Sequence, residues 1–137
     1  MLKSKYTGAR AAQPGARVGD IGAAIGREAR RLGCTVVREF TGHGIGQALH
    51  EEPVIPHESA AGVGPEIVPG MVFNVEPVVT LGSGAVTKLD DGWSYITSDG
   101  SVSAQYEVTV AVREDSPVIL TLGRLGENVA TTGPPYG

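Results

Sequence analysis

The sequence contains a single cysteine, Cys34, among 137 residues. Without a second thiol, the chain can form neither an internal disulfide nor a cysteine-based zinc site. This usage is compatible with a reducing cytosol, and we expect Cys34 to be a small buried apolar side chain. The first ten residues, MLKSKYTGAR, contain no long apolar stretch, so they do not have the pattern of a secretory signal peptide.

Long apolar runs and blocks of like charge are also missing. No apolar segment approaches the ~18 residues that a membrane-spanning helix needs. No run of like charge exceeds two residues, and the net charge is only −4. The sequence therefore predicts no membrane partner and no nucleic-acid partner. Its length favours one domain.

What the chain does contain is a helical first part followed by segments of strand character. Apolar residues recur every three or four positions over 18–32, and Gly33 follows as a stop. Residues 2–13 have a similar apolar face but no capping residue before them, as if the helix began in mid-pattern. Two helices followed by strands, without βαβ alternation, predict an α+β fold.

The predicted strands are rich in β-branched and aromatic residues. They cover residues 35–40, 71–81, 93–97 and 101–112. Residues 50–70 contain four prolines and are expected to be extended or turning. A loose tail is expected over residues 123–137.

Two of these strands carry a glutamate in an otherwise apolar context. Alternation places Asn74 and Glu76 on one face of the first strand, and Gln105, Glu107 and Thr109 on one face of the second. A buried carboxylate is costly unless it is paired or binds a metal. The alternative is that each glutamate lies on a solvated face of the sheet, which is common in antiparallel sheets.

The segment FTGHGIGQALHEEP, residues 40–53, has two histidines among several glycines. It is not the HExxH motif of zinc helices, because the spacing differs and Pro53 bars a helix, and it lacks the GK[ST] ending of a phosphate-binding loop. Gly42 and Gly44 would let His43 approach a neighbouring strand closely. A mixed set of histidine and glutamate suits Mn²⁺, Fe²⁺, Co²⁺ or Zn²⁺. The residues alone leave a hydrolytic metal site and a plain binding module as alternatives.

Other conspicuous residues have simpler interpretations when each is taken alone. His57 and Glu58 lie in a proline-bounded loop and are expected at the solvated surface. Trp93 and Leu49 are expected in the core, unless a pocket takes them.

Three segments together, GHGIGQALHEEP, PGMVFNVEPVV and DGWSYITSDGSVSAQYEVTVAV, resemble the C-terminal half of bacterial type I methionine aminopeptidases in order and spacing. The resemblance covers about residues 5–122 and is specific in SAQYE, and we take residues 1–122 as the domain. Related proline-specific peptidases share the histidine loop but have a different motif around the last glutamate. Only 25 residues separate His50 from Glu76, as in type I enzymes.

The resemblance implies roles for particular residues. His43, Glu76 and Glu107 match metal ligands of that family, and Glu76 also matches a proton-transferring group. His50 matches a histidine that contacts the substrate at the scissile peptide. Leu49 and Trp93 match positions that line the methionine side-chain pocket, although Phe is commoner than Leu there.

The same resemblance implies half of a "pita-bread" fold, an antiparallel sheet with two helices. It implies a cytoplasmic metallo-exopeptidase with two divalent ions (Co, Mn, Fe or Zn) that removes methionine from the N-terminal peptide of nascent proteins at the ribosome. The alternatives are a non-catalytic binding domain on the same scaffold and a relative of the proline-specific peptidases.

One part of the family pattern is missing from this sequence. The family also uses two aspartate ligands from its N-terminal half, and none of the aspartates here lies in that pattern (Asp20, Asp90, Asp91, Asp99, Asp115). We therefore expect a fragment, a half-enzyme completed by a separate N-terminal half or by self-association, or a non-catalytic relic. In each case, exposed apolar surface is expected to make the isolated chain associate.

Overall fold

A computed structural model describes residues 2–121 and 127–128 of the chain. Within this part the elements are two helices and eleven strands. The helices are α1 (Leu2–Ala11) and α2 (Val18–Arg31). The strands are β1 (Thr35–Val36), β2 (Gly42–Gly44), β3 (Glu51–Ile55), β4 (Val72–Val75), β5 (Val78–Thr80), β6 (Val86–Lys88), β7 (Tyr95–Thr97), β8 (Ser103–Gln105), β9 (Val108–Val112), β10 (Pro117–Ile119) and β11 (Glu127–Asn128).

Helix α2 matches the periodicity of its sequence. Its apolar stripe, including Ile21 and Ile25, is buried, and the chain leaves the helix through Gly33 with a φ of 71°. At its start, the Asp20 carboxylate accepts hydrogen bonds from the backbone N–H of Arg17, at 2.8 Å, and of Gly62, at 2.8 Å. These two bonds tie the beginning of the helix to a distant loop.

The strands form antiparallel sheets, so the predicted α+β class is confirmed. Six strands have the order β11-β10-β9-β4-β2-β3, three have the order β1-β5-β8, and β6 and β7 pair as a hairpin. Both helices contribute to one core with the larger sheet, through side chains such as Tyr6, Ile21, Ile25, Phe73 and Val110. One face of that sheet is thereby covered.

Two of the predicted strands prove to be interrupted. The strand predicted over 71–81 is divided into β4 and β5, and the one predicted over 101–112 into β8 and β9. Pro77 has no N–H to give to a ladder, which contributes to the break in the first strand. The breaks lie side by side, where the six-stranded sheet gives way to the three-stranded one.

Smaller differences concern the ends of elements. The strand predicted over 35–40 is regular only at Thr35–Val36, and the one over 93–97 only at Tyr95–Thr97. The extended region predicted after His50 contains the strand β3. The loose tail predicted over 123–137 lies outside the described residues, except Glu127–Asn128, which pair with β10. None of the described helices has the length and apolar character that a bilayer crossing requires.

Candidate active site

Glu76 and Glu107 lie opposite each other in the gap between the two sheets. On one side of the gap Asn74 pairs with Thr109, and on the other Val78 pairs with Gln105. Both ladders keep the same register, and each glutamate lies in the two-residue break of its own strand. The strand pairing therefore brings the two predicted polar faces next to each other.

Amide side chains from both strands hold the two carboxylates. The Asn74 side chain is 3% exposed and its Nδ2 donates to Glu107 Oε1 at 2.6 Å. Thr109 Oγ1 donates in turn to Asn74 Oδ1 at 2.9 Å. On the other side, Gln105 Nε2 donates to Glu76 Oε2 at 3.4 Å. Each strand thus carries an amide two residues before its glutamate, and each amide serves the glutamate of the other strand.

His43 faces the remaining oxygen of Glu76. Its Nδ1 lies 2.9 Å from the carbonyl of Gly44, which only accepts, so Nδ1 carries the proton. In the neutral imidazole, Nε2 then presents a lone pair, 3.2 Å from Glu76 Oε1. That oxygen is buried and has no hydrogen-bond partner among the described residues.

The electrostatic surroundings of Glu76 disfavour an isolated charge. Burial and the negative charge of Glu107 raise the pKa of the Glu76 carboxyl, while His43 and Gln105 act in the opposite direction. Two acceptor atoms facing each other in a partly buried place are a poor arrangement unless a proton or a metal cation lies between them. The donors are also of the kinds that divalent transition metals prefer.

The described residues do not complete a metal site. Among the described residues, no group of three or more His, Cys, Asp or Glu side chains is arranged to hold a metal ion. The convergent pair is His43 and Glu76, and Glu107 lies beside it with one oxygen engaged by Asn74. The residues present therefore fit a divalent cation in chemistry, and further ligands have to come from elsewhere.

The glycines around His43 are required by close backbone contacts. A Cβ on Gly42 would collide with the backbone oxygen of Asn74, and one on Gly44 with that of Glu52. The strand β2 is thus inserted tightly between β3 and β4. Both glycines support the expectation that their lack of side chains brings His43 close to a neighbouring strand.

His57 contradicts the expectation of a surface residue, because its side chain is 1% exposed. Burial lowers the pKa of its imidazole to about 4. The preceding residues Pro53 and Ile55 are also buried, with Val54 exposed between them. This alternation continues through His57, but residues 53–56 are apolar at buried and exposed positions alike, so no signal in the sequence would have placed the ring inside. Glu58 is largely buried but forms ion pairs with Arg30 and Arg38.

Leu49 and Trp93 are not core residues, contrary to the simpler interpretation. Leu49 is 66% exposed and Trp93 is 80% exposed, so the described residues do not cover them. Cys34 packs partly buried against the core. The His50 ring is exposed and contacts His43 edge-on, with ring centroids 4.2 Å apart.

An open pocket lies beside these side chains. Its volume is about 430 Å³, and its lining includes Phe40, His43, His50, Val54, Glu76 and Gln105. The lining therefore combines the histidine–glutamate pair with apolar side chains such as Phe40 and Val54. Such a combination suits a ligand with a polar group beside an apolar one.

Comparison with known proteins matches this chain to a family. The model of Metallopeptidase family M24 matches residues 1–114. Methionine aminopeptidase A of Synechocystis is 52% identical over 116 residues, which are 85% of this chain and 46% of the relative. The Escherichia coli methionine aminopeptidase is 42% identical over 120 residues, 88% of this chain and 46% of the relative.

Comparison with solved structures gives the same result as comparison with the curated relatives. The chain superposes on methionine aminopeptidase from Rickettsia prowazekii with a TM-score of 0.85 at 40% identity, covering 88% of this chain and 49% of that one. Prolidase from Pyrococcus furiosus shares the fold, with a TM-score of 0.63 at 22% identity. The predicted resemblance and the pita-bread fold are confirmed, and the chain spans about half the length of these relatives. This chain belongs to Metallopeptidase family M24.

Proposed function

We propose that this chain provides the histidine–glutamate part of the active site of a metal-dependent methionine aminopeptidase. The observation that carries the proposal is the unpartnered Glu76 Oε1, 3.2 Å from His43 Nε2 and beside Glu107. The similarity to methionine aminopeptidases at 42–52% identity supports the reaction type.

His43, Glu76 and Glu107 are the residues that we assign to hold two divalent ions, chosen from Co, Mn, Fe and Zn. When bound, such ions lower the pKa of a water molecule and polarise a peptide carbonyl. Glu76 would take the proton from the attacking water and pass it to the leaving amino nitrogen. Asn74 and Gln105 hold the two carboxylates in place for this work.

The substrate would lie in the pocket beside the pair. His50 contacts His43 and is exposed to the pocket, so we assign it to the scissile peptide group. We assign Leu49 and Trp93 to the methionine side chain, since both are apolar and uncovered. The full pocket would then form only with polypeptide that lies outside the described residues.

We also propose that the remaining ligands come from such polypeptide, either the other half of the relatives or a second copy of this chain. The substrates would be N-terminal peptides of nascent proteins, reached in the cytoplasm at the ribosome. These points rest on the similarity to methionine aminopeptidases and on the incomplete ligand set.

The first test is Mn²⁺ binding, measured by titration calorimetry on the purified chain. Glu76→Gln and Glu107→Ala are expected to weaken binding strongly, and the matched control Glu66→Gln, whose side chain is exposed, is expected to leave it unchanged. Affinity that is equal in all four proteins would overturn the assignment of the ligands.

The second test is release of free methionine from a Met-Gly peptide with Mn²⁺ or Co²⁺, beside Glu107→Ala. Release that disappears in Glu107→Ala would show that the chain, alone or as a self-associated complex, completes its own site. Metal binding without any release would favour the non-catalytic binding domain for the isolated chain. Faster cleavage of an Xaa-Pro dipeptide would favour the proline-specific relatives.

A further inference from the structure

His57 is a buried histidine to which the proposed reaction assigns no part. Its ring has two backbone partners, one on each side. Nε2 lies 3.1 Å from the backbone nitrogen of Glu76, and Nδ1 lies 3.2 Å from the carbonyl oxygen of Phe40. The ring thus joins the residue that bears the metal-facing carboxylate to the segment that leads into β2.

The partners determine which ring nitrogen carries the proton. The Glu76 N–H can only donate, so Nε2 has to be the acceptor with a free lone pair. The Phe40 carbonyl can only accept, so Nδ1 has to carry the hydrogen. A neutral ring with the proton on Nδ1 satisfies both partners, and a doubly protonated ring loses the bond to Glu76.

The ring is also placed against the backbone next to His43. A Cβ on Gly42 would lie 3.2 Å from His57 Nε2, so the ring occupies space directly beside that residue. From the other direction, the carbonyl of Pro56 is pressed against Gly22 of α2. The residue before His57 therefore packs against the helix, and the ring itself lies beside the backbone on both sides of the His43–Glu76 pair.

We propose that His57 is a positioning residue, which sets the backbone of Glu76 relative to the His43 strand so that Nε2 of His43 and Oε1 of Glu76 converge on a metal ion. This inference rests on the proposed function for the identity of the ligands. It goes beyond it in assigning a task to a residue that touches neither metal nor substrate.

Two measurements on the metal-free chain test the arrangement itself. Nitrogen-15 NMR of the histidine rings is expected to show His57 with its proton on Nδ1. Hydrogen exchange is expected to be slow at the Glu76 amide and faster in His57→Leu, while His57→Gln, which can donate and accept in the same directions, keeps it slow. A proton on Nε2, or equal exchange in both variants, would overturn the proposal.

Mn²⁺ affinity then tests the consequence. His57→Leu is expected to lower it by about 10- to 100-fold, the usual effect of removing a residue that supports a ligand, and His57→Gln to restore most of it. Ile119→Ala, a core change in β10 away from the pocket, is the control. It is expected to lower the Tm without changing Mn²⁺ affinity.

The outcomes separate the two proposals. Mn²⁺ affinity that is insensitive to Glu76→Gln would defeat the proposed function, and the NMR and exchange results would still decide whether His57 fixes the Glu76 backbone. Affinity that depends on Glu76 but is equal in wild type and His57→Leu would defeat the positioning role alone. If Ile119→Ala lowers Mn²⁺ affinity as much as His57→Leu does, the loss in His57→Leu reflects lower stability of the fold and the positioning role is overturned.

Discussion

Glu76 and Glu107 lie among partners that the same chain provides, whereas Leu49 and Trp93 extend into solvent. The glutamates come from two strands in register, with an amide from each strand aimed at the glutamate of the other. The apolar side chains come from a loop and from the hairpin turn, and no described residue covers them. The comparison teaches that this chain provides the hydrogen-bond partners of its two glutamates by itself, whereas no described residue covers the two side chains that we assign to the methionine pocket.

The largest expected effect on stability comes from the close backbone contact between Gly42 of β2 and Asn74 of β4. Gly42→Ala places a methyl group against the backbone oxygen of Asn74, which cannot move without disturbing the sheet. We expect a loss of about 3 kcal/mol in the free energy of unfolding, measured by urea denaturation.

Gly26→Ala is the matched control for this substitution. The nearest atoms to its new methyl, in the middle of a helix, would be the guanidinium of Arg30 and Cγ of Glu58, each 3.3 Å away, and both belong to side chains rather than to backbone. It is expected to be neutral or to stabilise by up to about 1 kcal/mol, because alanine favours helix. If Gly42→Ala and Gly26→Ala lose the same amount of unfolding free energy, the tight packing of β2 against β4 is contradicted.

A smaller effect is expected from the amide that serves Glu107. Asn74→Ala removes the donor to the Glu107 carboxylate and the acceptor of the half-buried Thr109 hydroxyl, and so breaks both hydrogen bonds of this buried amide. The expected loss of unfolding free energy is about 2 kcal/mol, with weaker Mn²⁺ binding. Thr109→Val removes only the outer bond and should cost about 1 kcal/mol. If Thr109→Val loses more unfolding free energy than Asn74→Ala, Asn74 is not the side chain that holds this hydrogen-bond chain together.

Self-association of the chain tests whether Leu49 and Trp93 form exposed apolar surface. We expect the wild-type chain to associate in light scattering, because large apolar side chains stay exposed. The double variant Leu49→Ser with Trp93→Ser should associate less, while its unfolding free energy changes by no more than about 0.5 kcal/mol. A wild-type chain that is a clean monomer with a sharp cooperative melt would count against an uncovered apolar half.

The smallest effect on stability concerns the ion pair between Arg38 and Glu58. Arg38 lowers the pKa of the Glu58 carboxyl, so the ionised group stabilises the fold above its unfolded pKa. That contribution is lost as the pH falls through the lowered folded value. Because Arg38 is exposed, we expect less than about 1 kcal/mol. The difference between wild type and Glu58→Gln should shrink between pH 7 and pH 3, and a constant difference would exclude this explanation.

Some of the site was predictable because it depends on short-range pattern. Alternation along the strands placed Asn74 with Glu76, and Gln105 with Glu107, on common faces. The paired strands confirm this grouping, and the family resemblance pointed to the same two glutamates. Helix α2 and its glycine stop followed from periodicity in the same way.

Other features depended on what surrounds a residue. His57 was expected at the surface, because a proline-bounded loop is usually solvated, yet its side chain is 1% exposed and its ring contacts the backbone of Glu76 and Phe40. Leu49 and Trp93 were expected inside, because large apolar side chains usually are, yet the described chain provides nothing to cover them.

The sequence by itself determined the helices, the strand faces, the glycines at β2 and the family of the chain. Each of these follows from the order of residues along a few neighbouring positions. Only the tertiary structure decided that both strands break at their glutamates and that Glu76 Oε1 faces His43 without a hydrogen bond. It also decided that the buried His57 ring contacts the backbone of Glu76 and of Phe40. Those features depend on distances between segments far apart in sequence, which local pattern does not encode.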